Sequence, residues 1–477
     1  MLALNTKRFS LPRIFTSGLF TACLLSVVGL SAQAKTLNEQ ELKNIETIKQ
    51  AALKSTLSYD LVESLTTEVG ARMIGTPQDK MSVEWAKKKF KSLGFDKVWT
   101  EPVVYHHWTR GESEARVISP YPHKLVALAL GDSVGTGEQG IQAQIVHFED
   151  LEALKAAKDG SLKGKIAFIS KRMDRKKDGS GYGPAVGGRS QGPSIASRKG
   201  AVAFILRSIG SDSDRVGHTG KLNYATDVKP IPAAALSNPD ADLLVNMLKR
   251  NKPIEIFLKL TPKRELDKPV YSANVIGEIT GTEKPEEFVV MAAHLDSWDV
   301  GTGAVDDGLG VGITMAAAHL IGQLPQRPKR SIRVILFAGE EVGLIGARQY
   351  LEKHKNNLHN HLIGVEWDFA NGLIYDMRSG VGPSALNAIR ELAHLIAPFG
   401  VSLNPDNNAP GSSDIRPIVA AGMPAMNFYA NGIDYFDIHH TENDTLDKVD
   451  KSAMPTNTAI YAMFAYFAAQ SMVDFRK

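Results

Sequence analysis

The chain has very little cysteine, because Cys23 is the only one among 477 residues. That residue lies in an apolar amino-terminal stretch typical of a cleaved export signal, so we expect a mature chain without thiols or disulfides. Any metal in the mature chain must then be held by histidine, aspartate or glutamate. An excess of one charge is also missing, since 55 basic residues nearly balance 52 acidic ones. This balance leaves no electrostatic footprint for nucleic acid, so we expect no nucleic-acid partner.

The amino-terminal stretch has the parts of a secretory signal peptide. Arg8 and Arg13 precede an apolar run over residues 14–30, and Ala32-Gln33-Ala34 supplies a small-x-small cleavage pattern. We expect a signal peptide over residues 1–34, cleavage near Ala34, and export to the periplasm or the medium with no membrane attachment afterwards. A retained anchor is the alternative, but Thr16-Ser17-Gly18 interrupt the run, whereas a spanning helix needs about 20 apolar residues.

The length and the apolar pattern predict two structural units, because 477 residues are too many for one typical core of about 150. Residues 35–120 and 263–477 combine helical spacing with continuous apolar strands, which predicts an α/β fold with a three-layer α/β/α sheet. Residues 121–262 contain short strands and glycine-rich connections, so we expect a β-rich insert. Its glycines at 187, 188 and 192 lack the spacing of a phosphate-binding loop and indicate a flexible surface connection.

Charged residues follow the apolar strands of the α/β unit, at the strand ends where functional groups of such sheets collect. The strand that ends at His294 continues into Asp296, and a glycine-bearing loop leads to Asp306 at the start of a helix. The next strand ends in Glu340-Glu341, whose neighbouring carboxylates repel each other unless a cation lies close by. Each of these residues alone has a structural explanation, for example as a helix cap.

Two further segments complete this set of charged residues. The third strand continues into Asp368, and His439-His440 follow a loop near the carboxyl terminus. Taken together, these residues supply the nitrogen and oxygen ligands that zinc accepts and a spare carboxylate for general-base work. Asp296 lies two residues after His294, so in an extended chain it faces the same side and we expect it to support the histidine ring.

The same residues resemble the ordered signature of the co-catalytic zinc exopeptidases, which include bacterial leucyl aminopeptidase, aminopeptidase Y and carboxypeptidase Q. The similar segments are His294-x-Asp296, Asp306-Asp307-Gly308, Glu340-Glu341, Asp368 and His440-Thr-Glu-Asn-Asp-Thr445. Within the family, the string from His294 to Asp307 is most similar to the carboxypeptidase Q group. Residues 121–262 resemble the protease-associated domain found in several members, which implies that this domain is inserted in the catalytic sheet domain.

The resemblance implies five zinc ligands in two groups: His294 and Asp368 for one ion, Glu341 and His440 for the other, and Asp306 bridging both. It makes Glu340 the general base that takes a proton from a metal-bridging water. Asp296 is the acid that orients a ligand. We prefer His440 to His439 because His440 directly precedes the Thr-x-x-Asp-Thr pattern.

The activity implied by the resemblance is that of an exported two-zinc exopeptidase acting on dipeptides and short peptides with a free amino terminus. A homodimer is one assembly that the resemblance allows. Three alternatives stay open: a carboxypeptidase acting on short peptides, a glutaminyl-cyclase-like enzyme with one zinc, and a non-catalytic binding protein on the same fold. The complete set of ligands argues against the last two.

Other polar residues stay outside the predicted site. We expect His354, His359 and His361 at a solvated helix end and loop. Ser413 and Asp414 lie in a loop that could reach the site, and their role stays open.

Overall fold

A computed structural model describes residues 36–477, so the predicted signal peptide and its cleavage site lie outside the described residues. The strands along this part of the chain are β1 (Lys97–Thr109), β2 (Ser113–Ser119), β3 (His123–Leu125), β4 (Ala127–Ala129), β5 (Ile141–Phe148), β6 (Ile166–Ile169), β7 (Ala203–Arg207), β8 (Ala233–Leu236), β9 (Glu255–Leu260), β10 (Lys263–Ile279), β11 (Lys284–His294), β12 (Arg330–Phe337), β13 (His361–Glu366), β14 (Ile374–Gly380), β15 (Ser402–Leu403) and β16 (Ala425–Ala430).

The α-helices of the same residues are α1 (Glu39–Lys54), α2 (Leu57–Glu68), α3 (Pro77–Ser92), α4 (Leu151–Ala156), α5 (Tyr182–Arg198), α6 (Asn238–Leu248), α7 (Leu309–Gly322), α8 (Ile345–His354), α9 (Leu386–Ile396), α10 (Arg416–Ala420), α11 (Tyr435–Ile438) and α12 (Met454–Gln470).

The first sheet has the strand order β1-β10-β12-β11-β13-β16-β14-β15, and its central strands β12, β11 and β13 are parallel. Alternate residues of β11 pack on opposite faces. Val289 and Met291 join the core formed with α7 and α12, whereas Val290 and Ala292 join the core formed with α8 and α10. Because helices cover both faces, the central strands are apolar throughout, and the predicted three-layer α/β/α sheet is confirmed.

Helix α7 is the most apolar helix of the sheet domain and begins beside the predicted site. The segment Ala304–Gly322, which includes α7, is long and apolar enough to cross a membrane by length and composition. It is instead buried between α2, α12 and β11. Its small residues allow close approach: Gly312 lies against the Ser58 carbonyl, where a Cβ would collide with the backbone of α2.

The second sheet has the strand order β3-β2-β9-β5-β6-β7-β8-β4, and all its strands lie between Ser113 and Leu260. The strands β5, β6, β7 and β8 are parallel neighbours, and α4, α5 and α6 connect or follow them. This region therefore contains more helix than the predicted β-rich insert. The boundaries at residues 121 and 262 stay a prediction, although the sheet itself begins somewhat earlier, at Ser113.

The predicted flexible connection at glycines 187, 188 and 192 is wrong, because all three lie inside α5. Glycine normally costs a helix about 1 kcal/mol relative to alanine. Here Gly192 packs directly on the ring of Phe204 in β7, and a Cβ at this position would lie 2.5 Å from a ring atom. The glycines therefore allow the helix to lie close to the sheet, which glycine content alone does not reveal.

The histidines before β13 also differ from the prediction of a solvated segment. His361 is only 1% exposed, and its Nε2 lies 2.9 Å from the Tyr350 hydroxyl. His354 lies 2.9 Å from a carboxylate oxygen of Glu101, which is itself buried. The last residue of the group, His359, lies in a short 3₁₀ turn before the strand. Two of the three histidines are thus held by polar groups inside the fold, and they lie at the opposite end of β13 from Glu366.

Candidate metal centre

The parallel strands bring the predicted residues to one edge of the first sheet. His294 ends β11, Glu340 and Glu341 follow β12, and Asp368 follows β13. Asp306 lies in the turn before α7, and its peptide bond to Asp307 is cis. His439 and His440 follow α11. Because carboxyl ends of parallel strands share an edge, residues far apart in sequence meet in one place.

Asp306 lies at the centre of this group of side chains. Its Oδ1 is 3.2 Å from His294 Nε2, and the same nitrogen is 3.3 Å from Asp368 Oδ1. Its Oδ2 is 3.4 Å from His440 Nε2, which in turn is 3.0 Å from Glu341 Oε2. The two oxygens of one carboxylate therefore face two separate sets of nitrogen and oxygen donors. The ligand atoms of His294, Asp306 and Asp368, and those of Asp306, His439 and His440, lie close enough together to hold a metal ion.

The adjacent histidines both approach Asp306. The rings of His439 and His440 stack with centroids 3.5 Å apart, and His439 Nε2 lies 3.7 Å from Asp306 Oδ2. His439 is therefore also within reach of a metal at this position. His440 has the better geometry, because its Nε2 lies close to both Asp306 and Glu341. Both distances agree with the preference for His440, which the sequence pattern after this residue suggested.

Asp296 contacts His294 in a different way from the prediction. The ring nitrogen Nδ1 of His294 lies 2.9 Å from the Asp296 backbone carbonyl, whereas the carboxylate Oδ1 is 3.8 Å away. A carbonyl only accepts, so Nδ1 donates and Nε2 is left free to bind a metal. The Asp296 carboxylate instead accepts a hydrogen bond from the backbone N–H of Glu340. Asp296 thus connects the segments after β11 and β12.

Two buried residues that the sequence analysis did not assign hold the turn containing Asp306. The carboxylate of Asp444 accepts hydrogen bonds from the backbone N–H groups of Val305 and Asp306, at 2.8 and 3.2 Å. Arg72 is fully buried and donates to the carbonyls of Leu295, Thr302 and Gly303. The position of Asp444 in the string after His440 was a signal for the first role, whereas the second depends on contacts of Arg72 with residues more than two hundred positions away.

Several carboxyl groups at this edge are buried together, which favours their protonated forms. Burial and the charge of Asp306 raise the pKa of Glu341 well above its ordinary value. Burial and Asp368 do the same to the pKa of Glu340. Burial alone would lower the pKa of His294, but hydrogen bonds to Asp306 and Asp368 raise it well above 6.5. Burial is the largest cause for both glutamates, and the neighbouring carboxylates act in the same direction on all three groups, so the site favours positive charge.

A second pair of acids lies behind Asp368. The carboxylate of Glu366 accepts hydrogen bonds from the backbone N–H groups of Asp414 and Ile415, both at 3.1 Å. Burial and the charge of Asp368 raise the pKa of Glu366 to about 8. Both carboxylate oxygens of Asp414 are buried without a hydrogen-bond partner, and burial and Glu366 raise its pKa. The loop with Ser413 and Asp414 therefore does reach the site, with Asp414 beneath it and Ser413 at its surface.

An open cleft of about 670 Å³ exposes the centre to solvent. Its lining includes Asp306, Glu340 and Asp368 of the donor group and Tyr182 and Arg189 of α5. Tyr435, which the sequence analysis left out, also lines this cleft. The space is large enough to admit a small ligand to the donor groups, and both sheets contribute to its walls.

The family of this chain follows from its similarity to proteins of known sequence. Carboxypeptidase Q of Xenopus laevis is 34% identical over 412 residues, which cover 86% of this chain and 86% of that protein. The chain belongs to peptidase family M28. The sequence model of this family, described as "Peptidase family M28", matches residues 274–465. This range includes all the predicted metal-site residues.

Solved structures agree with this family. A crystal structure of a peptidase M28 precursor from Shewanella amazonensis SB2B has a TM-score of 0.90 and 47% identity, covering 92% of this M28 chain and 98% of that one. The zinc aminopeptidase BSAP from Bacillus subtilis has a TM-score of 0.62 at 21% identity, covering 88% and 98%. At this identity, the similarity to BSAP shows only that the two proteins share a fold. The sequence-based resemblance to the co-catalytic exopeptidases and the α/β fold are thereby confirmed.

Proposed function

We propose that this M28 peptidase is an exported metallo-exopeptidase that uses two zinc ions to hydrolyse dipeptides and short peptides with a free amino terminus. One observation carries the proposal: the two oxygens of Asp306 face separate donor sets, His294 with Asp368 and His440 with Glu341. A carboxylate that presents one oxygen to each donor set can bridge two metal ions held a few ångströms apart. Export is proposed from the signal-like residues before position 35.

The residues present fit zinc. Histidine nitrogens and carboxylate oxygens are both zinc ligands, and no cysteine is needed. Asp306 Oδ2 is buried without a hydrogen-bond partner, although a buried carboxylate oxygen normally has one. Nearby carboxyl groups have raised pKa values because they are buried beside one another. Divalent cations would supply the missing positive charge and the missing partner for this oxygen.

Glu340 is the group that moves the proton. When bound, a pair of zinc ions lowers the pKa of a shared water and polarises the scissile carbonyl. The Glu340 side chain lines the cleft beside Asp306 and Asp368, and burial makes it a stronger base than an exposed glutamate. After accepting the proton from water, the same carboxyl can return it to the leaving amine. Asp296 fixes the Glu340 backbone through the hydrogen bond at 3.1 Å.

Charges of both signs in the cleft favour short substrates. The carboxylate of Asp178 can face the ammonium of a free amino terminus, whereas Arg189 and Lys221 can face a carboxylate. A dipeptide presents both of its ends within one small cleft. The basic residues also support the second candidate, a carboxypeptidase that acts on short peptides, and a relative of this chain bears the name carboxypeptidase Q.

The test combines metal content with blocked substrates. Purified mature protein is analysed for zinc and assayed with a free dipeptide, its N-acetyl form and its carboxyl-terminal amide. We expect about two zinc ions per chain and cleavage of the free dipeptide but not the acetylated one. Cleavage of the acetylated form with loss of cleavage of the amide would favour the carboxypeptidase. A protein with neither zinc nor turnover would refute the proposal.

The role of Glu340 is tested separately. Glu340→Gln keeps the size of the side chain but removes the base, so we expect kcat to fall by about 10²–10⁴-fold while zinc is retained. Glu352→Gln changes an exposed glutamate of α8 and is the matched control, with unchanged kcat expected. Retention of more than a tenth of the wild-type kcat in Glu340→Gln would assign the proton transfer to another group.

A further inference from the structure

A loop of the second sheet reaches the histidine pair of the metal centre. It follows β7 and includes residues 208–219. The backbone N–H of Thr219 donates to the His440 carbonyl at 3.0 Å, and the Thr219 carbonyl lies 3.3 Å from His440 Nδ1. His218 Nδ1 lies 2.8 Å from the His439 carbonyl. Three hydrogen bonds therefore connect this loop to two successive residues, although more than two hundred positions separate the partners in sequence.

These contacts determine which nitrogen of His440 is free. The Thr219 carbonyl can only accept a hydrogen bond, so His440 Nδ1 carries the hydrogen. The lone pair of the ring is then on Nε2, which faces Glu341 Oε2 at 3.0 Å and Asp306 Oδ2 at 3.4 Å. A hydrogen bond from the non-ligating nitrogen is the usual way in which a protein fixes the tautomer and direction of a metal-binding histidine.

The backbone at His440 needs such external support. Its φ is +61°, a left-handed conformation that is unfavourable for a residue with a side chain. Such a conformation persists only where surrounding contacts hold it. The hydrogen bonds from Thr219 to the His440 carbonyl and from His218 to the His439 carbonyl lie directly on either side of this conformation.

The ring of His218 is buried, and both of its nitrogens have a polar partner. Its ring is 1% exposed, and Nε2 lies 2.7 Å from Asp212 Oδ1. The amide of Asn238 also donates to Asp212 Oδ1, at 3.0 Å, and the backbone N–H of His218 donates to the Ser208 hydroxyl at 2.9 Å. A buried ring with partners on both nitrogens has one orientation. It can therefore hold the His439 carbonyl at a fixed position relative to the second sheet.

We propose that His218, held by Asp212, is a positioning residue that orients His440 for metal binding. The second sheet thereby helps to build the metal centre, although the five proposed ligands all lie outside it. The proposal rests on the proposed function, because it concerns the ion held by Glu341 and His440. It further implies that this ion depends on contact between the sheets, whereas the ion at His294 and Asp368 does not.

Two substitutions of His218, by leucine and by asparagine, which have similar size and shape, test the positioning role. His218→Leu removes the donor to the His439 carbonyl, whereas in His218→Asn the amide nitrogen can occupy the position of Nδ1. His361→Leu is the matched control, because His361 is equally buried but lies elsewhere in the fold. For each protein the metal-free form is checked by circular dichroism, and zinc affinity and stoichiometry are then measured at neutral pH by competition with a chelator.

We expect His218→Leu to weaken one of two zinc ions by about 10–100-fold, with the other ion unchanged. His218→Asn should stay within a few-fold of wild type, and His361→Leu should bind both ions normally. Wild-type affinity in His218→Leu, or an equal loss in His361→Leu, would overturn the positioning role. If His218→Leu does not fold, Asp212→Leu decides, because it removes the acceptor that holds His218 Nε2, and normal affinity for both ions in this variant would also overturn the role. A wild-type protein without zinc would instead refute the proposed function.

Discussion

The stability of the protein in acid should depend on His361. This histidine begins β13, is buried, and contacts the Tyr350 hydroxyl and the Asn357 carbonyl. Burial, with the nearby charges of Arg333 and His354, lowers the pKa of His361 from 6.5 to about 3. In the unfolded chain the ring has its ordinary pKa, so between these two values the unfolded state binds a proton that the folded state does not.

The size and sign of the effect follow from this difference in pKa. The contribution is complete above pH 6.5, and stability is lost as the pH falls from there towards the folded pKa of about 3. One pKa unit corresponds to about 1.4 kcal/mol, so His361 should lower the free energy of unfolding by about 3 kcal/mol at about pH 4.5. By about pH 3 the loss reaches about 4 kcal/mol, because the folded state then begins to bind the proton as well.

A variant without His361 should be less stable than wild type at alkaline pH and more stable than wild type in acid. His361→Leu leaves the Tyr350 hydroxyl without this partner, which costs about 1–2 kcal/mol at alkaline pH. The variant escapes the acid penalty, so its free energy of unfolding should equal that of wild type between about pH 5 and pH 6 and exceed it below. Tyr350→Phe is the control, because it breaks the same hydrogen bond and keeps the titrating ring.

The assay is urea-induced unfolding of metal-free protein at a series of pH values, which removes any effect of metal release in acid. We expect the Tyr350→Phe curve to run parallel to wild type, and the His361→Leu curve to cross it. If His361→Leu also stays parallel to wild type from neutral to about pH 4.5, then His361 is not held in its neutral form and the reasoning fails.

Three further changes test the site and the packing. Asp306→Asn should lose both zinc ions, as measured by metal analysis after dialysis, because both donor sets share its oxygens; retention of one ion would contradict a bridging role. Arg72→Met should lower the free energy of unfolding by about 3–5 kcal/mol in urea, since it leaves buried carbonyls and carboxylates without their cation. Gly192→Ala should lower the same free energy by about 1–3 kcal/mol because its Cβ meets Phe204. Gly183→Ala in the same helix has open space and should raise it by about 0.5–1 kcal/mol, so equal effects of the two would refute the packing argument.

The residues around Asp306 could be predicted because they follow strands of one parallel sheet. The rule that such strands end at a common edge brings His294, Glu341 and Asp368 together without any coordinates. The detailed role of Asp296 could not be predicted in this way. Spacing of two places a side chain on the same face only while the strand continues, and β11 ends at His294, so the carboxylate turns towards the backbone of Glu340 instead.

Other contributions depend on contacts between distant parts of the chain. Arg72 bonds to carbonyls more than two hundred residues away, and His218 is similarly distant from His439. No local pattern reports such contacts. The glycines of α5 were misinterpreted for a related reason, since their value depends on the ring of Phe204 in another element. Sequence patterns thus predicted the strands and the charged residues that meet at their ends, whereas the residues that position these side chains required the tertiary structure.

The path of the chain into the second sheet has a consequence for evolution. The chain leaves the first sheet at Thr109 and returns at Lys263, and these two residues are cross-strand partners in the β1–β10 ribbon. The intervening segment is therefore an excursion from a hairpin, so it can be lengthened, shortened or exchanged without moving the strands that carry it. Any exchange that preserves the proposed centre must, however, bring new hydrogen-bond partners to the places now occupied by His218 and the backbone of Thr219. Selection on a region without proposed ligands would then act through the few polar groups that contact His439 and His440.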